Sequence, residues 1–274
     1  MMDSQTRNEL AGRFGAIASQ AGKLIMAIYA DAPRVDTKPD GSPVSDADRE
    51  SERLIREQLS KVLPDVPLVA EESFDPARCP QVPERFLLVD PLDGTREFIS
   101  RNGEFTVNIA LIDNGHPIVG CVYAPACNAM YIAGAHAFHA TLSPGAALPP
   151  LAELKPIATR PYPQAGLSAV ASRSHLDANT QNFLKRLPIA SHRNAGSSLK
   201  FCVIAQGEAD VYPRLAPTME WDTAAGQAVL VAAGGCVIGT DGAALRYGKA
   251  ERGFRNDGFV AWGRSPLSGA ANDA

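Results

Sequence analysis

Phe86-Leu87-Leu88-Val89-Asp90-Pro91-Leu92-Asp93-Gly94-Thr95 places an apolar run directly before two carboxylates, a glycine and a hydroxyl. The run reads as a buried strand. Asp90 and Asp93 then stand where that strand ends, with Gly94 supplying a turn. Carboxylates are hard oxygen donors suited to Mg²⁺. Glycine lets backbone amides approach an anion, and a helix opening at this point would add its positive end. A metal-and-phosphate site and a plain polar turn both fit these ten residues.

Working outward, residues 5–30 carry Leu10, Phe14, Ile17, Ala21, Leu24, Ile25 and Ile28 at helical spacing, closed by Pro33. A second helix starts near Ser45 or Asp46, presents Leu54, Ile55, Leu59 and Val62 on one face, and ends at Pro64. Short strands are expected at 67–70 and 85–89. Residues 105–112 and 117–123 flank Asp113-Asn114-Gly115 and read as a hairpin. Further antiparallel strands are expected at 128–133 and 135–141. Residues 143–165, rich in Pro, Ala and Gly, read as an irregular connection.

A second α/β half begins at Leu167: strand 167–172, helix 177–187, strand 189–194, helix 198–206, strand 209–214, helix 222–233, then strands 235–238 and 259–262. The expected organisation is an α+β half at 1–142, a connection at 143–166, an α/β half at 167–264 and a frayed tail at 265–274.

With 274 residues and 45% hydrophobic content the chain can bury a sizeable core. A net charge of −4 gives no electrostatic case for nucleic acid or an anionic membrane. Cys79, Cys121, Cys127, Cys202 and Cys236 form no CxxC pair, which favours reduced thiols in a cytoplasmic protein over zinc or disulfides. No basic segment followed by an apolar run opens the chain, so no signal peptide is expected, and no run is long enough to span a bilayer.

Four acidic places are candidates for one site. Asp48 lies in the first turn of the second helix, Glu71 and Glu72 follow one strand, Asp90 and Asp93 follow the next, and Asp222 opens the helix at 222–233. Singly, each reads equally as a helix cap or a solvated turn. Together they would repel one another unless cations bind them. All-oxygen donors favour Mg²⁺ or Mn²⁺ over zinc.

Asp90-Pro91-Leu92-Asp93-Gly94-Thr95 together with Trp221-Asp222-Thr223-Ala224-Ala225-Gly226 resembles the paired signatures of the inositol monophosphatase superfamily. Ala70-Glu71-Glu72-Ser73 and the segment Ser42-Pro43-Val44-Ser45-Asp46-Ala47-Asp48 fall upstream in the expected order. Ala171-Ser172-Arg173-Ser174-His175, Ala195-Gly196-Ser197-Ser198-Leu199-Lys200-Phe201 and Tyr212-Pro213-Arg214 are similar to the bacterial 3′(2′),5′-bisphosphate nucleotidases of that superfamily. The resemblance covers residues 10–262 and implies an α/β (α+β) fold, a layered αβαβα sandwich of the inositol monophosphatase and fructose-bisphosphatase type.

The resemblance further implies phosphate monoester hydrolysis by a metal-activated water. Glu71, Asp90, Asp93, Asp222 and the Leu92 carbonyl would hold two or three Mg²⁺ ions, with Mn²⁺ as a substitute. Thr95, oriented by Asp48, would align the water, with Glu71 assisting as base. The Gly94 and Thr95 amides would cradle the phosphate, and Glu71, Leu92, Asp93 and Asp222 would also border it. His175, Ser197, Lys200 and Arg214 would contact the nucleotide and its second phosphate. By themselves these four read as ordinary surface or capping residues. The implied substrate is adenosine 3′,5′-bisphosphate, cleaved to AMP in support of sulfate assimilation, with inhibition by Li⁺. An inositol or sugar phosphatase is the nearest alternative, and a non-catalytic relative a second. A monomer or homodimer is expected, in the cytoplasm, with peripheral association at the inner membrane by family analogy.

Overall fold

Asp3 accepts a hydrogen bond from the Thr6 amide at 2.9 Å and so starts α1 (Ser4–Ala30). In the computed structural model, which describes residues 2–31, 35–37, 43–171 and 177–267, α1 buries Leu10, Phe14, Ile17, Ala21 and Ile25. A two-stranded ribbon, β1 (Val35–Thr37) with β2 (Pro43–Ser45), leads into α2 (Asp46–Val62). Ser45 and Asp48 form a reciprocal capping box at its start.

These two helices cover one face of a seven-stranded sheet ordered β3 (Leu68–Ala70), β4 (Arg85–Asp93), β5 (Thr106–Asp113), β6 (His116–Ala124), β7 (Ala129–Ala133), β8 (Ala137–Thr141) and β9 (Lys155–Pro156). β3 and β4 run parallel and the remaining neighbours antiparallel. Phe14, Ile25, Ile55, Leu87, Val107 and Ile109 fill the space beneath the helices.

A five-stranded sheet lies on the far side, ordered β11 (Ile189–Asn194), β10 (Leu167–Ala171), β12 (Val211–Arg214), β16 (Phe259–Trp262) and β14 (Cys236–Gly239). Between the sheets sit α5 (Leu199–Ala205) and α6 (Ala224–Ala232), packed in a core with Phe86, Val122, Phe201 and Phe259. α6 rests close on β6: a Cβ at Gly120 would meet Ala228 Cβ at 2.7 Å and the Ala225 carbonyl at 2.8 Å. On the outer face α4 (Ala178–Lys185) places Phe183 and Leu184 against Val211 and Trp262. A short α3 (Thr95–Ile99) follows β4, and β13 (Thr218–Met219) pairs with β15 (Arg255–Asn256). The layers are therefore αβαβα, as the resemblance implies. Among the described residues no helix is long and apolar enough to cross a membrane.

Three expectations need correction. β4 does not stop at Val89 but runs to Asp93, with a register break between Asp90 and Asp93. Pro91 has no N–H for the ladder, so it reads as an end where the chain makes only an irregularity. The segment at 143–165 is not wholly irregular, because β9 pairs with β8 at Phe138 and His139. Asp222 does not open α6: the helix begins at Ala224, and Asp222 sits in the preceding turn, where its Oδ2 accepts the Met219 amide at 2.9 Å.

Candidate active site

The register break in β4 is what builds the site. In a regular strand, residues an odd number apart point to opposite faces, which would separate Asp90 from Asp93. Here Asp90 stays in register opposite Asn108, Asp93 re-enters opposite Thr106, and the Leu92 amide turns back on Asp90 Oδ1 at 3.0 Å. Both carboxyls then act on one neighbourhood, since the charge of Asp93 raises the pKa of Asp90.

Glu71 arrives from the end of β3. Its amide extends the ladder to the Val89 carbonyl at 3.2 Å. The next amide, Glu72, donates to the buried carboxylate of Glu52 on α2 at 2.7 Å, pinning the turn. Asp222 comes from the other half of the chain. Ligand oxygens of Glu71, Asp90 and Asp222 lie within 4.8 Å of one another. Burial foremost, then the charges of Glu71, Asp93 and Asp222, hold the Asp90 carboxyl well above the usual carboxylate range. Burial, then Asp93 and Glu71, do the same to Asp222. Such a crowded, all-oxygen donor set fits a hard divalent cation, whose charge offsets the repulsion.

Beside the acids, Gly94 adopts φ 95° and caps α3. Thr95, the first residue of α3, donates its hydroxyl to Asp48 Oδ1 at 3.1 Å. Asp48 Oδ2 accepts from the Ser45 amide at 2.7 Å and the Ser45 hydroxyl at 2.6 Å, so α2 fixes the orientation of that carboxylate.

A cleft of about 320 Å³ opens over these groups. Glu71, Asp93, Gly94, Thr95 and Asp222 form one side, and Ser197, Lys200, Tyr212, Arg214 and Thr218 also line it. Asp48, Asp90 and Leu92 lie beneath the surface, each 1% exposed. Lys200 is buried with its ammonium over the Tyr212 ring, 5.5 Å from the centroid. Burial pushes its pKa down to about 8, against the opposing pull of Asp93. Burial pushes the Tyr212 hydroxyl up to about 12, and the nearby Arg214 guanidinium opposes that shift and, more weakly, the rise at Asp222. Ser197, at φ 48°, places its Oγ 2.8 Å from the carbonyl oxygens of both Asp93 and Glu104, so its proton is already engaged with the backbone. His175 lies outside the described residues, as does Ser42.

The structure thus brings oxygens of Glu71, Asp90 and Asp222 together and sets Asp93, Thr95, Lys200 and Arg214 on the same cleft, with Asp48 beneath Thr95; it does not place Glu72 there. It adds residues that the sequence reading did not single out: Tyr212 and Thr218 on the wall, and Glu52, Asn108 and Ser198 behind it. Tyr212 stood inside a quoted motif. So did Ser198, though without a role; Thr218, Glu52 and Asn108 carry no local signal, because what they meet at the site lies far away in sequence.

Comparison with known proteins bears on the same residues. The model of the inositol monophosphatase family matches residues 7–263. The 3′(2′),5′-bisphosphate nucleotidase CysQ of Escherichia coli is 43% identical over 252 residues, covering 89% of this chain and 95% of that protein. Its counterpart from Buchnera aphidicola is 39% identical, covering 89% and 90%. Among solved structures, CysQ from Bacteroides thetaiotaomicron superposes with a TM-score of 0.79 at 37% identity, over 93% of this chain and 97% of that one. The inositol monophosphatase from Anabaena shares the fold with a TM-score of 0.72 at 22% identity, over 97% of this chain and 95% of that one. The family match spans both sheets and every acid of the cleft, and the chain belongs to the inositol monophosphatase family.

Proposed function

We propose that the chain is a Mg²⁺-dependent phosphatase that removes the 3′-phosphate of adenosine 3′,5′-bisphosphate, giving AMP and phosphate. The observation that carries this reading is a single cleft lined both by converging carboxylates and by cationic side chains, Lys200 and Arg214 together with the exposed Arg96. A substrate with two phosphates suits that polarity: one ester sits over the acids with their cations, and the other meets Lys200 and the forked Arg214. The similarity to CysQ nucleotidases points the same way.

In this reading Glu71, Asp90, Asp93, Asp222 and the Leu92 carbonyl hold two or three divalent ions, Mg²⁺ or Mn²⁺ as its substitute. When bound, these neutralise phosphoryl oxygens, acidify water and stabilise the leaving oxygen. The chain's own contribution is orientation. Thr95 donates its hydroxyl proton to Asp48 in a hydrogen bond, which leaves its lone pairs to accept from a water and so aim that water's oxygen at phosphorus. Glu71, which lines the cleft, is assigned the part of assisting base from the resemblance. By the resemblance, the amides of Gly94 and Thr95 would donate to the phosphate. His175 is assigned to the nucleotide from the resemblance, and clearance of the bisphosphate would serve sulfate assimilation.

Phosphate release with Mg²⁺ tests the assignment across adenosine 3′,5′-bisphosphate, inositol 1-phosphate and sugar phosphates. The nucleotide should give the highest kcat/KM, and Li⁺ should inhibit. A preference for inositol 1-phosphate would move the chain to the inositol phosphatases of the same fold. No hydrolysis of any ester would leave a non-catalytic relative.

A further inference from the structure

The geometry points to Ser198 as a positioning residue that holds Asp93 and Asp222 in register for divalent-cation binding, with Asn108 orienting its hydroxyl. Ser198 Oγ lies 2.7 Å from the Asp222 carbonyl and 3.2 Å from Asp93 Oδ2. It accepts a hydrogen bond from Asn108 Nδ2 at 3.0 Å. One hydroxyl thus joins the end of β4, the middle of β5 and the turn before α6. Ser198 and Asn108 are each 1% exposed, so water does not compete for these bonds.

The two acids need such a tie. Asp93 ends a strand of the seven-stranded sheet, whereas Asp222 precedes a helix lying between the sheets. No stretch of chain shorter than the 93–222 interval connects them, and their like charges repel. A fixed separation between ligands is what a small cation requires. Ser198 offers a single proton to an oxygen of each acid residue, and Asn108 keeps the hydroxyl lone pair occupied from the opposite side. Asn108 also stands across from Asp90 in the β4–β5 register, so its position is tied to a third acid. Among the described residues its Oδ1 has no hydrogen-bond partner, so the bond to Ser198 is what orients its buried amide.

This inference rests on the metal reading of the acidic cluster, and its test is metal binding rather than turnover. Mn²⁺ and Mg²⁺ are titrated into the full chain by calorimetry, with the metal-dependent rise in Tm as a second readout. Ser198→Ala should weaken binding about tenfold or more, the range seen when groups behind metal ligands are removed. Its metal-free Tm should fall by no more than the loss of one or two hydrogen bonds allows. Asn108→Ala should weaken binding less, and the double variant should bind about as well as Ser198→Ala alone, because both act through one hydroxyl. Affinity of Ser198→Ala within about twofold of the parent, against the tenfold loss expected, overturns the inference. So do losses that multiply in the double variant. Should Ser198→Ala fail to fold, Asn108→Ala alone decides, and unchanged affinity there counts against the tie. A parent chain that binds neither metal would instead remove the metal reading itself, and this inference with it.

Discussion

Gly94→Ala tests whether the turn between the acids and Thr95 is held as tightly as the structure indicates. Gly94 has φ 95° and ψ 46°, a left-handed conformation that costs an L-residue about 1–2 kcal/mol. An added Cβ would also land on Ser197 Oγ, with Glu97 Oε2 at 3.3 Å and the Glu104 carbonyl at 3.4 Å. Ser197 cannot simply rotate away, because its hydroxyl is shared between the carbonyls of Asp93 and Glu104. Displacing it leaves those acceptors short of a donor, a further cost of about 1–3 kcal/mol. The sum is roughly 2–5 kcal/mol, combining the backbone and hydrogen-bond costs. At about 2 °C per kcal/mol for a chain this long, Tm should fall by roughly 4–10 °C.

Activity should fall further than stability implies. Thr95 follows directly, and a shift of about 1 Å in a positioning group can cost ~10²-fold in rate. Differential scanning calorimetry and Mg²⁺-dependent phosphate release measure the two effects. The sharper assay is a double-mutant cycle with Ser197→Gly, which removes the hydroxyl that the new Cβ meets. In that background Gly94→Ala should cost only the backbone part, about 1–2 kcal/mol. Equal costs in both backgrounds would refute the steric argument, and an unchanged Tm in the single variant would refute the whole account.

Three other outcomes follow from the same geometry. Asp93→Asn should nearly abolish turnover while the chain still folds, since the repulsion it relieves at Asp90 and Asp222 is set against the attraction it removes from buried Lys200; normal Mg²⁺-dependent rates would sink the mechanism. Mg²⁺ at about a hundred times its Kd should stabilise the chain by ~2.7 kcal/mol, or roughly 5 °C in a thermal melt, and a chelator should reverse this. Arg160→Ala strips the buried Asp210 carboxylate of two hydrogen bonds, at 2.9 and 2.7 Å, and leaves it the Ser168 amide. That should cost about 3 kcal/mol, toward the lower end for breaking a buried pair, with kcat/KM unchanged because the pair lies outside the cleft.

Much of the scaffold was legible because the deciding signals are local. The period of Leu10, Phe14, Ile17 and Ile25 needs only one helix to explain it, and Ser45 announces α2 within four residues. Asn114-Gly115 marks the β5–β6 turn for the same reason. The misreadings occur where tertiary contacts override local chemistry. Pro91 looks like a strand end, yet β5 continues the pairing on both sides of the irregularity. β9 is only two residues long and exists because β8 offers it an edge. Glu52 and Asn108 are ordinary residues in sequence and Ser198 stands in a quoted motif with no role attached; only contacts across 20 to 105 positions give the three a place behind the site.

The same contrast separates acids that build the site from acids left to hold charge. Glu220, two positions before Asp222, is fully buried, but its carboxylate receives the Gly248 amide at 2.7 Å, the Lys249 amide at 3.0 Å and the Lys249 ammonium at 2.7 Å. Its charge is matched within the chain, and it serves to lock the 219–222 turn against residues 248–249. Asp48 is likewise met by three donors from Ser45 and Thr95. Asp90 is buried and Asp222 lines the cleft, yet each accepts a backbone amide while facing the negative charge of the others. Charge withdrawn from water without matching positive charge is costly unless an ion supplies it. That imbalance, rather than acidity alone, is the argument for the proposed ligand roles of Asp90 and Asp222; Glu220 has an ammonium to match it, and the oxygens of Asp48 are already taken up by three neutral donors.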